Sequence, residues 1–145
     1  QNLIVRGEKE TKLTALRMIK EIDAGPIYYQ ENLSLLGLAE EIFVRSSILV
    51  YKIIEKIILN NPKPRDQEGE IVFFKRRKPE DSKIPYSISS LNELFDFIRM
   101  LDAQDYPAAF IDYEKFRIEF SRPAIRTQNI SASVTIKLLN EDEYK

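Results

Sequence analysis

The chain has 145 residues, a formal net charge of −1, and neither cysteine nor histidine. That length supports one domain with its own core or two partial subdomains, and the missing residue types rule out a disulfide, a thiolate nucleophile and a thiolate or imidazole metal site, so no metal site is expected. The near-neutral charge counts against a large phosphate-binding surface, and no apolar run approaches the ~18 residues of a membrane span.

Residues 1–5 read as the end of a helix closed by Arg6 and Gly7. Residues 13–18 alternate as a strand, 20–26 form a polar turn, and 27–33, rich in Ile and Tyr, read as a second strand. The pair is hairpin-like, with Asp23 on its connecting loop, where a rigid scaffold can hold a reactive group. Residues 38–59 form the clearest helix. Its Leu38, Ile42, Phe43, Leu49, Val50, Ile53, Ile54, Ile57 and Ile58 recur at helical spacing and read as core. Asn60, Asn61 and Pro62 stop it, and Pro62, Pro64, Asp66 and Gly69 mark a linker. Residues 71–74 read as a short strand, followed by the basic run Lys75, Arg76, Arg77 and Lys78. Ser90 and Glu93 have capping-box spacing, which predicts a helix from Leu91 with Leu94, Phe95, Ile98 and Leu101 on one face. Residues 108–112 and 116–120 read as a hairpin, 131–139 as a final strand and 140–145 as a charged tail.

Asp23-Ala24-Gly25-Pro26 has two readings. All but Ala24 are turn residues, so the segment can be a turn and nothing more. Alternatively, glycine lets a flat ligand approach the peptide groups while the carboxylate orients or charge-stabilises a neighbouring base. The basic run likewise reads either as a solvated face, with Arg76 or Arg77 paired to Glu80 or Asp81, or as a partner for a diphosphate or an RNA backbone.

For the Asp23 loop, a wider pattern shifts the weight toward the second reading. Gly7, Glu10, Thr11, Thr14, Met18, Asp23 and Gly25 have the spacing of a run that resembles the formyltransferases using 10-formyltetrahydrofolate, which act on methionyl-tRNA or on nucleotide-linked amino sugars. FKRRKPEDS (residues 74–82) and FIRMLDAQDYPAAF (residues 97–110) are similar to further segments of that family, in the same order. Lys12, where the family commonly has Gly, and Arg17 depart from the pattern.

The resemblance implies an α/β fold: the C-terminal part of a Rossmann-like formyltransferase sheet, then a small α+β, barrel-like appendage. It implies that residues 1–60 end the catalytic domain, 61–90 link, and 91–145 form a small C-terminal subdomain. It assigns Asp23 as catalytic, holding the family's histidine, and Ala24 and Gly25 as backbone lining for 10-formyltetrahydrofolate. The histidine is expected in a part of the protein preceding Gln1, so the chain alone is expected to catalyse nothing. The expected acceptor is a nucleotide-linked amino sugar, with tRNA second, because of the near-neutral charge and the short stretch after Phe120. A non-catalytic binding or oligomerisation relative is the remaining alternative. A cytoplasmic protein is expected, and apolar surface exposed at the truncated N-terminal side is expected to favour self-association into a homo-oligomer.

Overall fold

A computed structural model describes residues 1–139, so the tail read at 140–145 lies outside the described residues. The order is α1 (Asn2–Val5), β1 (Glu10–Leu16), β2 (Ile27–Ser34), α2 (Ala39–Asn60), α3 (Leu91–Arg99), β3 (Ala109–Tyr113), β4 (Phe116–Ile125) and β5 (Ile130–Leu138). The fold is mixed α/β with two small antiparallel sheets, β1-β2 and β3-β4-β5. Two compact units result. One holds residues 1–8, 37–40 and those from 75 onward; the other holds Lys9–Leu36 and Glu41–Phe74.

In the second unit, β1 and β2 pair from Glu10↔Ser34 to Ala15↔Tyr29, and a bulge then shifts Leu16 opposite Ile27. β1 starts and ends earlier than the 13–18 read from alternation. Arg17 already belongs to the loop, donating its N–H to the Pro26 carbonyl at 2.8 Å. Helix α2 is tied to this hairpin. Glu31 accepts from Lys52 at 3.4 Å and from Lys56, and Asn60 donates to the Tyr29 hydroxyl at 3.3 Å. The bonded Lys56 holds the Glu31 carboxyl below its ordinary range. Arg45 donates to the Ser34 carbonyl (3.2 Å) and to that of Leu36, fixing the start of the helix to the end of β2.

Two sequence expectations fail in this unit. The stripe on α2 is only partly core: Ile42 and Ile53 are buried, whereas Phe43, Val50, Ile54 and Ile58 are exposed. A two-stranded hairpin covers one side of a helix, and the apolar residues of α2 extend well beyond that side. Residues 71–74 form no strand, and Ile71, Val72 and Phe73 are exposed. Their β-favouring side chains meet no partner strand, and propensity without pairing does not make a ladder.

In the first unit, the Ser90 hydroxyl accepts the Glu93 N–H at 3.2 Å, so α3 starts where the capping spacing placed it. The returning half of the box is displaced by one residue: Glu93 accepts the Ser89 N–H at 2.9 Å, which holds its carboxyl below the ordinary range. Phe97, Ile98, Met100, Leu101, Ala109, Phe110 and Ile4 are buried here. Arg99, also buried, is satisfied by Asp96 at 2.6 Å and the Gly37 carbonyl at 2.7 Å. The predicted hairpin forms, but β4 runs on to Ile125 and bulges between Ser121 and Ala124. There Arg122 takes a positive φ of 50° and donates its N–H to Asp102 at 2.5 Å. No helix among the described residues is long and apolar enough to cross a membrane.

Candidate functional site

The loop between β1 and β2 carries all three residues singled out by sequence. Asp23 and Ala24 are exposed at its tip, and Gly25 is buried at its base. Asp23 takes φ = 58°, in the left-handed region that Asp enters more readily than most residues. Its carboxylate has no hydrogen-bond or ion-pair partner among the described residues.

Gly25 has an internal reason to be glycine. A Cβ there would overlap the Arg17 carbonyl oxygen and lie 2.9 Å from the Arg17 carbonyl carbon. The two arms of the loop therefore cross closely, and the 2.8 Å bond from Arg17 N–H to the Pro26 carbonyl closes them. This differs from the ligand-approach argument drawn from sequence: the missing side chain makes room for the chain itself.

A third segment completes the site, and the sequence reading missed it. Arg65 exchanges backbone hydrogen bonds with Ile27 at 2.6 and 2.9 Å. Two residues on, the Gln67 side-chain amide donates to the Asp23 carbonyl at 2.7 Å and the Gly25 carbonyl at 2.8 Å. One amide with two donors thus grips the loop on both sides of Ala24. Gln67 lies more than 40 residues from the loop, within a stretch that reads as linker, and no local pattern marks it. The Ala24 carbonyl between the two clamped ones has no partner among the described residues. Met18 and Ile22 of the same loop are 92% and 90% exposed. The site thus presents a carboxylate, a short backbone surface and two apolar side chains on a clamped loop.

The basic run divides. Arg77 donates to the Asp81 carbonyl and lies 5.6 Å from the centre of the Phe97 ring, a structural use. Asp81 accepts the Lys78 N–H at 2.7 Å, which holds its carboxyl below the ordinary range. Lys75 and Arg76 are exposed and make no ion pair among the described residues.

Comparison with known proteins shows which family the chain resembles. A family model described as the methionyl-tRNA formyltransferase C-terminal domain matches residues 79–137. The methionyl-tRNA formyltransferase of Mycoplasma capricolum is 29% identical over 129 residues, covering 84% of this chain and 40% of its own. That of Thermodesulfovibrio yellowstonii is 26% identical, covering 95% of this chain and 46% of its own. In structure, the methionyl-tRNA formyltransferase from Clostridium thermocellum matches with a TM-score of 0.91 and 44% identity, over 94% of this chain and 60% of its own. HypX from Aquifex aeolicus in complex with tetrahydrofolic acid (TM-score 0.62, 16% identity) and a likely sugar N-formyltransferase from Mycobacterium tuberculosis (TM-score 0.59, 15% identity) share the fold.

These relatives overturn the expected order of acceptors, which placed a nucleotide-linked amino sugar first. The curated relatives and the 44%-identical structure are methionyl-tRNA formyltransferases, and the sugar enzyme is similar only at the level of fold. Net charge misled because it sums a chain spanning about 40% of its curated relatives' length, whereas phosphate contacts depend on where cations sit. The length after Phe120 carries no information on the acceptor for the same reason. The ordered motifs, the α/β architecture and these matches lead to one conclusion: the chain belongs to the formyltransferase family, of which it carries the C-terminal portion.

Proposed function

We propose that the whole protein moves the formyl group of 10-formyltetrahydrofolate to the amine of methionyl-tRNA. The observation that carries this reading is the 44% identity, over 94% of the chain, to a methionyl-tRNA formyltransferase. In this transfer the amine nitrogen bonds to the formyl carbon, the bond from that carbon to the folate nitrogen breaks, and a proton passes from the amine to the leaving nitrogen. The folate supplies the formyl group when bound.

Asp23 is the one group of this chain assigned to the proton. Its exposed carboxylate holds a neighbouring base, or takes the amine proton directly or through water. With no histidine in these 145 residues, that base comes from outside them. The donor fits the loop: the Ala24 carbonyl is open between two clamped neighbours, and Gly25 is held so that the peptide surface stays in place. Lys75 and Arg76 are the exposed cations assigned to the RNA backbone. A cytoplasmic location accompanies an aminoacyl-tRNA acceptor.

The test supplies the whole gene product with formyl-labelled donor and either methionyl-tRNA or a nucleotide-linked amino sugar. Label is expected on the methionyl amine, with transfer weakening steeply as salt rises, because phosphate contacts release counterions. Label on the sugar alone, or on neither acceptor, contradicts the reading.

A further inference from the structure

Nothing holds the Asp23 carboxylate from its own end: the residue is exposed, and its side chain engages nothing among the described residues. Its direction is therefore set by its backbone, which takes the left-handed φ of 58°. Aspartate tolerates that region without requiring it. The bond from the Arg17 N–H to the Pro26 carbonyl closes the base of the loop and does not reach its tip. The tip is held by the Gln67 amide. Its bond to the Asp23 carbonyl at 2.7 Å fixes the peptide plane that follows Asp23, and its bond to the Gly25 carbonyl at 2.8 Å fixes the plane beyond Ala24. Both acceptors are carbonyls, so only the amide nitrogen can serve them.

Gln67 lies on a strap of chain with no helix or strand of its own, yet that strap is registered against both strands of the hairpin. Thr14 and Gln30 are direct cross-strand partners, and such partners share one face. The Gln30 amide donates to the Thr14 hydroxyl at 3.2 Å, and its oxygen accepts from the Arg65 guanidinium at 2.9 Å. The polarity is forced: a guanidinium only donates, so the Gln30 oxygen faces Arg65 and its nitrogen faces Thr14. The Arg65 backbone meanwhile exchanges hydrogen bonds with Ile27 at 2.6 and 2.9 Å. Arg65 is thus pinned by its side chain and its backbone together. Two residues span at most ~7 Å, so this pin limits where Gln67 can lie. Thr14, part of the run singled out in sequence, gains a use here that its spacing did not disclose.

We infer that Gln67 is a positioning residue for formyl transfer, aiming the Asp23 carboxylate through the loop backbone, and that Thr14, Gln30 and Arg65 hold Gln67 in register for that task. The inference rests on the transfer reading proposed above and adds to it the groups that act through Asp23.

The test uses the whole gene product with formyl-labelled donor and methionyl-tRNA. Gln67→Met keeps the length of the side chain and removes both donors. It is expected to lower kcat about 10–100-fold, the release of two ordinary hydrogen bonds that keep a reacting group in place. KM for methionyl-tRNA should stay within about threefold and the melting temperature within about 4 °C. Arg65→Met is expected to show a smaller loss of the same kind. Asp66→Asn, on the same strap and without a bonded side chain among the described residues, should keep the parental rate. Made in the Asp23→Asn background, Gln67→Met should cost no more than about threefold, because a residue that acts through Asp23 has nothing left to aim. A merely structural Gln67 would cost the same in both backgrounds, and that result overturns the inference. Parental kcat in Gln67→Met, a loss confined to KM, or a loss in Asp66→Asn as large as that in Gln67→Met also overturns it. Should Gln67→Met melt early, Gln67→Glu, of the same shape but with no donor for the two carbonyls, takes its place in the same cycle with the same expected losses. A parent protein that transfers nothing to methionyl-tRNA, or an Asp23→Asn variant with the parental rate, overturns the transfer reading itself and this inference with it; a normal Asp23→Asn loss beside an unaffected Gln67→Met overturns the inference alone.

Discussion

Asp23→Asn in the whole gene product is expected to lower kcat for formyl transfer by about 10²–10⁴-fold, the usual worth of a positioned acid or base. KM should change little, because the carboxylate matters most while the proton moves. Stability should also change little: Asp23 is exposed, and its carboxylate engages nothing among the described residues. Asparagine is the informative replacement because it enters the left-handed region about as readily as aspartate, so the 58° φ is preserved and only the charge is lost. Alanine would confuse the two effects, since a left-handed conformation costs most residues roughly 1–2 kcal/mol. Transfer within threefold of the parent would remove Asp23 from the mechanism.

Gly25→Ala is expected to disrupt the loop by a different route. Its backbone is not in the left-handed region, so the cost comes from space: the new methyl group must displace the Arg17 carbonyl. That carbonyl is backbone, in a loop closed at Pro26 and clamped by Gln67, so it cannot turn aside as a flexible side chain would. Overpacking of this kind costs about 1–3 kcal/mol, and a displacement near 1 Å of the neighbouring Asp23 can cost ~10²-fold in rate. Gly7→Ala is a useful contrast. Nothing lies within 4 Å of its Cβ, so only its φ of 81° opposes the change. Thermal unfolding and steady-state transfer of the two variants check this. A Gly25→Ala protein with parental melting temperature and rate would contradict the crossing described for the loop.

Local chemistry made part of this structure legible in the sequence. Ser90 and Glu93 mark the start of α3 because a cap acts over three residues, and the β3–β4 hairpin forms where residues 108–112 and 116–120 read as one. Asp23, Ala24 and Gly25 were legible as a loop because aspartate, glycine and proline carry turn conformations. What failed depended on partners distant in sequence. Residues 71–74 looked like a strand but meet none. The clamp from Gln67 and the closeness of Arg17 to Gly25 are contacts that no local window contains. The outer side of α2 reads as core by period, yet the hairpin beside it covers only one side. The acceptor was misjudged because total charge is not charge distribution.

The proposed function places the Asp23–Gly25 loop on the folate side of a formyl-transfer site. Amide resonances of the whole gene product, followed during titration with a stable formyltetrahydrofolate, test it most directly. The Ala24 and Gly25 amides are expected to shift and saturate together with the Gln67 side-chain amide that clamps the loop. Saturable binding that leaves these three signals in place would show that the folate sits elsewhere and contradict the assignment.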